Sequence, residues 1–348
     1  DFVARAGVEP DDFVRQLGAM AAQIGELVGI PGLDQLRPRA RANDAVHWVA
    51  VTRYFQAHLP ALHERMVALS RFETPREVEL CEQSPLIHTP FIHTRNGFEC
   101  IHHKLLFRAL ETKFYDILRG AGAERFMRDF GPAFERYVGA VLAESGLLLI
   151  GESELQELLP GPGKCVDYAL VDDDILVLVD SKGIEGHYDE RYHSLPEVLT
   201  AKLKTTALHA IDQAIATYRR LPSRLQRPMT VFLCVTYKQL NIGDGDALRA
   251  LTVGTPDWDT PRWHEAGLPP AHMFTISVQQ LELSIGVIRT GRRPSEIFRQ
   301  VLADNDAPET SKFLFLQHLA RYGPVDIPGF ARLGAARICG FCSAHCRA

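Results

Sequence analysis

The chain of 348 residues holds no apolar run near the roughly 20 residues that a membrane-crossing helix needs; "GLLLI" and "ILVLV" are strand-sized. Its seven cysteines are too sparse, and too odd in number, for a disulfide scaffold. No cleavable signal opens the sequence, which starts at Asp1 and not at Met. These absences lead us to expect a cytoplasmic protein with no membrane partner. Familiar catalytic signatures are missing too. There is no G-x-S-x-G elbow, and no G-x-G-x-x-G opens a helix after a strand. "GPGKC" fails as a phosphate loop, because Leu158 stands where the first glycine belongs and Cys165 replaces the Ser or Thr. Kinase and dehydrogenase chemistry therefore find no support.

The chain is 46% hydrophobic, enough for a sizeable core, and its length allows two or three domains. A net charge of −5 argues against a generally basic nucleic-acid coat. Locally the balance reverses. Between Leu199 and Phe232 stand Lys202, Lys204, Arg219, Arg220, Arg224 and Arg227 against Asp212 alone. That excess suits a phosphate-facing surface, and equally a solvated helix face.

Apolar spacing of three and four predicts helices through much of residues 1–75, then short strands and loops over 80–100, and helices near 102–119 and 132–145. Strands are expected at 146–155, 164–171, 175–183, 229–237 and 272–278, with a long helix from Ala201 to Leu221 between the third and fourth. Helices follow at about 279–291 and 293–304, and then an irregular tail.

"VDYALVDDDILVLVDSKG", residues 166–183, reads as a hairpin turning at Asp173 and Asp174, yet each arm carries an acid, Asp167 and Asp180. An antiparallel register around that turn sets Asp167 opposite Asp180, with Cβ atoms about 5 Å apart. Lys182 lies two residues on and so shares their face. Two opposed carboxylates repel each other, and a lone buried charge is costly. A hard divalent cation relieves both problems: Mg²⁺ takes carboxylate oxygens and shares its shell with substrate phosphates, and Mn²⁺ can substitute. With Lys182 alongside, the pattern suits phosphodiester hydrolysis. A further acid is expected from the helix in "GPAFERYVGAVLAESG", opened by Pro132 in its first turn. There Glu135 rides the edge of a buried stripe of Phe134, Tyr137, Val138, Val141 and Leu142. Its plainer role is that of a boundary glutamate.

Glu in a helix, Asp in one strand and Asp-x-Lys in the next resembles the PD-(D/E)XK nuclease superfamily, although Val166 stands where the motif's name has proline. The order of elements from 132 to 237 is similar to that family's restriction-endonuclease-like αβββαβ core. The resemblance implies an α/β fold with Glu135, Asp167 and Asp180 as Mg²⁺ ligands and Lys182 as the catalytic lysine. It further implies a DNA endonuclease, a hydrolase of the kind that serves bacterial defence or DNA repair. Some members place Gln and Tyr on the following helix, where this chain has Gln213 and Tyr218; Gln213 is a candidate site residue, and Tyr218 reads as core. The alternative is a subunit of the same fold that binds nucleic acid or a partner protein without cleaving on its own, whether as a homo-oligomer or in a complex.

The division expected is a mainly helical region over 1–125, the nuclease-like domain over 126–290, and a helix with a Cys-rich tail over 291–348. In that tail Cys339, Cys342, His345 and Cys346 have a spacing that suits a structural Zn²⁺, or equally reduced surface thiols. A second group, Cys81, His88, His93, Cys100, His102 and His103, matches no regular finger.

Overall fold

The computed structural model describes residues 2–26, 32–36, 42–69, 85–120, 123–183, 203, 206–240, 242–251 and 268–325. The chain is α/β, with two mixed sheets among these residues. It divides into two compact units, one from Asp1–Arg128 and the other mainly from Asp129–Glu190 and Ser194–Gly329.

In the first unit, helices α1 (Phe2–Ala6), α2 (Pro10–Glu26), α3 (Ala42–Thr52), α4 (Leu59–Leu69) and α5 (His103–Gly120) accompany a small sheet. Strand β1 (Gln56–Ala57) runs parallel to β2 (Phe91–Thr94), which forms a hairpin with β3 (Gly97–Cys100). Phe13, Met20, Leu36, Phe55, Phe91 and Leu106 are fully buried in its core. The helical spacing reflects a buried face in α1 and α2, whereas α3 and α4 leave Val46, Val49, Leu59, Met66 and Val67 exposed.

The second unit is built on a five-stranded sheet ordered β4-β5-β6-β7-β8. The chain runs α6 (Ala123–Ala143, in this unit from Asp129), β4 (Leu148–Gly151), α7 (Glu152–Leu158), β5 (Tyr168–Val171), β6 (Ile175–Lys182), α8 (Ala207–Arg220), β7 (Met229–Thr236), α9 (Gly245–Leu251), β8 (Met273–Ser277), α10 (Val278–Arg289), α11 (Pro294–Asp306) and α12 (Phe315–Leu319). The first three strands form an antiparallel meander, and β7 and β8 then add in parallel. Central strands covered on both faces become continuous apolar runs, which is why β7 is buried at every residue and β6 at its first six.

On one face, Ala169, Val171, Leu176, Leu178, Phe232 and Cys234 join Leu208, Ile211 and Ile215 of α8 in a single cluster. Tyr218 packs against that cluster, as core. Tyr168 belongs to the other face, where its hydroxyl donates to the Glu135 carbonyl at 3.0 Å. Gly139, one turn further along α6, makes room for this ring: a Cβ there would lie 2.5 Å from the Tyr168 hydroxyl.

Three expectations need correction. Pro132 does not open its helix, because α6 starts at Ala123 and carries Pro132 in its interior. The proline lacks the N–H for one helical bond, and stacking of Phe130 on Phe134, with ring centroids 5.7 Å apart, ties the turn across it. The strand read over 146–155 stops at Gly151, since "ESELQEL" forms α7: its Glu152 and Glu154 suit a helix start and Leu155 is its buried residue. The strand read from 164 starts only at Tyr168, because Val166 donates its N–H to Thr217 Oγ1 at 3.0 Å and not to a neighbouring strand.

Candidate metal centre

The hairpin pairs Tyr168 with Val179 and Val171 with Leu176, and Asp172 N–H closes the turn on the Ile175 carbonyl at 3.0 Å. This is the register read from the sequence. One step beyond the ladder, Asp167 falls opposite Asp180. The ladder ends there because Asp167 substitutes its side chain for backbone: Oδ2 accepts from Ser181 N–H at 2.6 Å and from Ser181 Oγ at 2.5 Å. The three turn aspartates are matched by arginines, with Arg293 near Asp172, Asp173 and Asp174, and Arg299 also on Asp174.

Asp180 is 0% exposed, in line with the buried strand around it. Lys182 Nζ lies 2.5 Å from its Oδ2 as an ion pair, and its Oδ1 has no hydrogen-bond partner among the described residues. Burial, which strips water from the ionised form, pushes the Asp180 carboxyl up to about 7; the Asp167 charge adds to the shift, and Lys182 opposes it. Lys182 is fixed from its other side by Gln213, whose Oε1 accepts at 2.9 Å. Gln213 Nε2 in turn donates to the Cys165 carbonyl at 3.0 Å. The candidate Gln213 is thus a strut between the lysine and the segment leading into Asp167.

In front of this pair, the carboxylates of Glu135, Glu152 and Asp167 each place an oxygen within 4.8 Å of the others. All three are half-buried. The Glu135 carboxyl is raised, first by burial and then by the charges of Asp167 and Glu152, against the pull of Arg136 and Lys182. Glu135 and Asp167 therefore meet, as the resemblance implied, while Asp180, the third expected ligand, is not among the converging oxygens and pairs with Lys182. Glu152 was missed because the strand was read through it. The signal lay in the register: Gly151 pairs with Tyr168, so the next residue, Glu152, comes level with Asp167.

The donors suit a hard divalent cation. They are carboxylate oxygens only, three of them converge, and the buried Asp180 keeps an oxygen without a hydrogen-bond partner beside them. Such a cation would be held by Glu135, Glu152 and Asp167, with Asp180 as a fourth acid.

The proposed zinc ligands Cys339, Cys342, His345 and Cys346 lie outside the described residues, as does Cys81. Between 88 and 103, His93 packs on Phe98 with centroids 5.0 Å apart, His102 stacks on His103 at 4.5 Å, and Cys100 is buried in the core. The only group of three or more possible ligands among the described residues is the acidic one. Of the basic run, Arg220 and Arg227 are bonded to backbone carbonyls, those of Gly161 and Asp172 among them. Lys202 and Lys204 lie outside the described residues.

No helix among the described residues is long and apolar enough to cross a membrane. No family model matches the chain, and no curated protein matches it either.

Proposed function

We propose that the chain is a metal-dependent nuclease of restriction-endonuclease-like fold, acting on DNA. The observation that carries this reading is the convergence of Glu135, Glu152 and Asp167 in front of a buried Asp180–Lys182 ion pair. The fold supports it: a helix bearing Glu135, an antiparallel meander, a second helix and a strand parallel to the third follow the order of that family's core.

The chemistry that a bound divalent cation supplies is Lewis-acid polarisation of the phosphodiester. The chain's own groups account for the rest. Glu135, Glu152, Asp167 and Asp180 form a concentrated negative pocket, which repels a phosphate until the charge is neutralised. Lys182, held by Asp180 and Gln213, keeps its ammonium at one place, where it steadies charge developing on the phosphoryl oxygens without reorganising. Because both its partners are on the protein, it loses little freedom when substrate arrives.

The test is plasmid relaxation with and without Mg²⁺. Wild type nicks or linearises the plasmid in Mg²⁺ and not in EDTA, and Asp180→Ala and Lys182→Ala remain folded and inactive. Cleavage by Asp180→Ala at the wild-type rate would refute the assignment.

A further inference from the structure

The segment 161–166 runs along the polar stripe of α8 and is fastened to it at four of its six residues. Arg220 donates from Nη1 to the Gly161 carbonyl at 3.3 Å, and from Nη2 to that of Lys164. Gln213 holds the Cys165 carbonyl, and Thr217 holds the Val166 N–H. Gly163 has φ +156°, and a Cβ there would sit 2.9 Å from the Arg220 guanidinium, so the loop closes tightly over that arginine. This anchoring engages backbone groups and leaves the Lys164 side chain exposed, with Nζ 2.8 Å from His209 Nε2.

Two groups that can both be cations face each other here. Lys164 donates and the ring accepts, so His209 is neutral in this arrangement. The acid whose charge reaches His209 is Asp212, on the same helix. Burial and the fields of Lys164 and Lys182 hold the His209 ring below its usual range, against Asp212 on the same helix, and Gln213 is its polar neighbour. An oxyanion suits such a pair: it would accept from the ammonium and from a protonated ring at once. Three residues separate Lys164 from Asp167, so their Cα atoms lie at most about 11 Å apart, close enough for one bound strand to reach both.

We propose that Lys164 and His209 form a subsite for a backbone phosphate of DNA, flanking the phosphodiester held at the acidic pocket. The inference rests on the nuclease reading for its substrate. Binding of the phosphate places a proton on His209, so the duplex binds more tightly as pH falls. Arg220 is a positioning residue, acting only through the loop that carries Lys164.

The experiment measures binding of a fluorescein-labelled DNA duplex to the full chain in Ca²⁺, across KCl concentrations and between pH 5.5 and 7.5. Lys164→Met weakens binding and lowers the slope of log K against log salt by about one, and Lys164→Arg restores it. His209→Gln tightens less toward acid pH than wild type does, the remainder coming from Asp180 and Glu135 of the acidic pocket. Wild-type slope in Lys164→Met, together with wild-type pH dependence in His209→Gln, would overturn the subsite, as would failure of wild type to bind the duplex. Plasmid cleavage in Mg²⁺ separates the two claims. Cleavage lost in Asp180→Ala, with duplex binding unaltered in Lys164→Met and His209→Gln, leaves the nuclease standing and removes the subsite. Altered binding in those two variants, with no Mg²⁺-dependent cleavage by wild type, does the reverse.

Discussion

Removing the charge of Asp180 should flatten the pH dependence of stability. Burial pushes the folded carboxyl up to about 7 from an ordinary value of 3.8. A raised value means that the folded chain holds this proton more tightly than the unfolded chain. Stability is therefore greatest below the unfolded value and is lost as pH rises through 7. At about 1.4 kcal/mol per pKa unit, full ionisation costs about 4 kcal/mol, of which about 3 kcal/mol falls between pH 5 and pH 8.5. Asp180→Asn cannot titrate. Urea unfolding at those two pH values should show wild type losing about 3 kcal/mol more than the variant. Glu135 is also raised, but its neighbours are unchanged in the variant, so its contribution cancels in the comparison. Added Mg²⁺ should remove most of the wild-type loss, because a cation stabilises the ionised form. Parallel pH profiles for the two proteins would refute the claim that this carboxyl is buried at a charge-neutralising site.

Glu152→Gln should weaken Mn²⁺ binding about tenfold, equivalent to about 1.4 kcal/mol, in a calorimetric titration, with an unchanged melting temperature. Gly139→Ala forces a methyl into the Tyr168 ring and should lower unfolding stability by about 1–3 kcal/mol, whereas Gly139→Ala with Tyr168→Leu should recover part of it. Thr217→Val leaves the buried Val166 N–H without its acceptor and should cost about 1–3 kcal/mol. Because that bond holds the segment entering Asp167, the same variant should slow cleavage more than substitution of an exposed residue on α8 does.

The hairpin register was legible because its two arms are apolar and its turn is short, so a single pairing buries both and sets Asp167 opposite Asp180. The stripe on α8 was equally readable: Leu208, Ile211 and Ile215 are buried where their spacing put them. Glu152 was hidden by a local ambiguity. "LLIGESEL" continues smoothly in apolar content, and only the helical spacing of Leu155 and Leu158 separates strand from helix. The role of Gln213 as a strut was out of reach for another reason. It depends on the position of the Cys165 carbonyl, 48 residues away in sequence, which no periodicity encodes. Pro132 misled because a proline at a helix start is the commoner arrangement, while here the helix extends nine residues before it.

The central claim is that acids on three neighbouring elements, α6, α7 and the start of β5, gather to hold a divalent cation in front of Asp180 and Lys182. A crystal of the full chain soaked in Mn²⁺ and measured at the manganese edge tests it most directly. An anomalous peak should appear within ligand distance of the Glu135, Glu152 and Asp167 carboxylates. A crystal at saturating Mn²⁺ with no peak among them would contradict it.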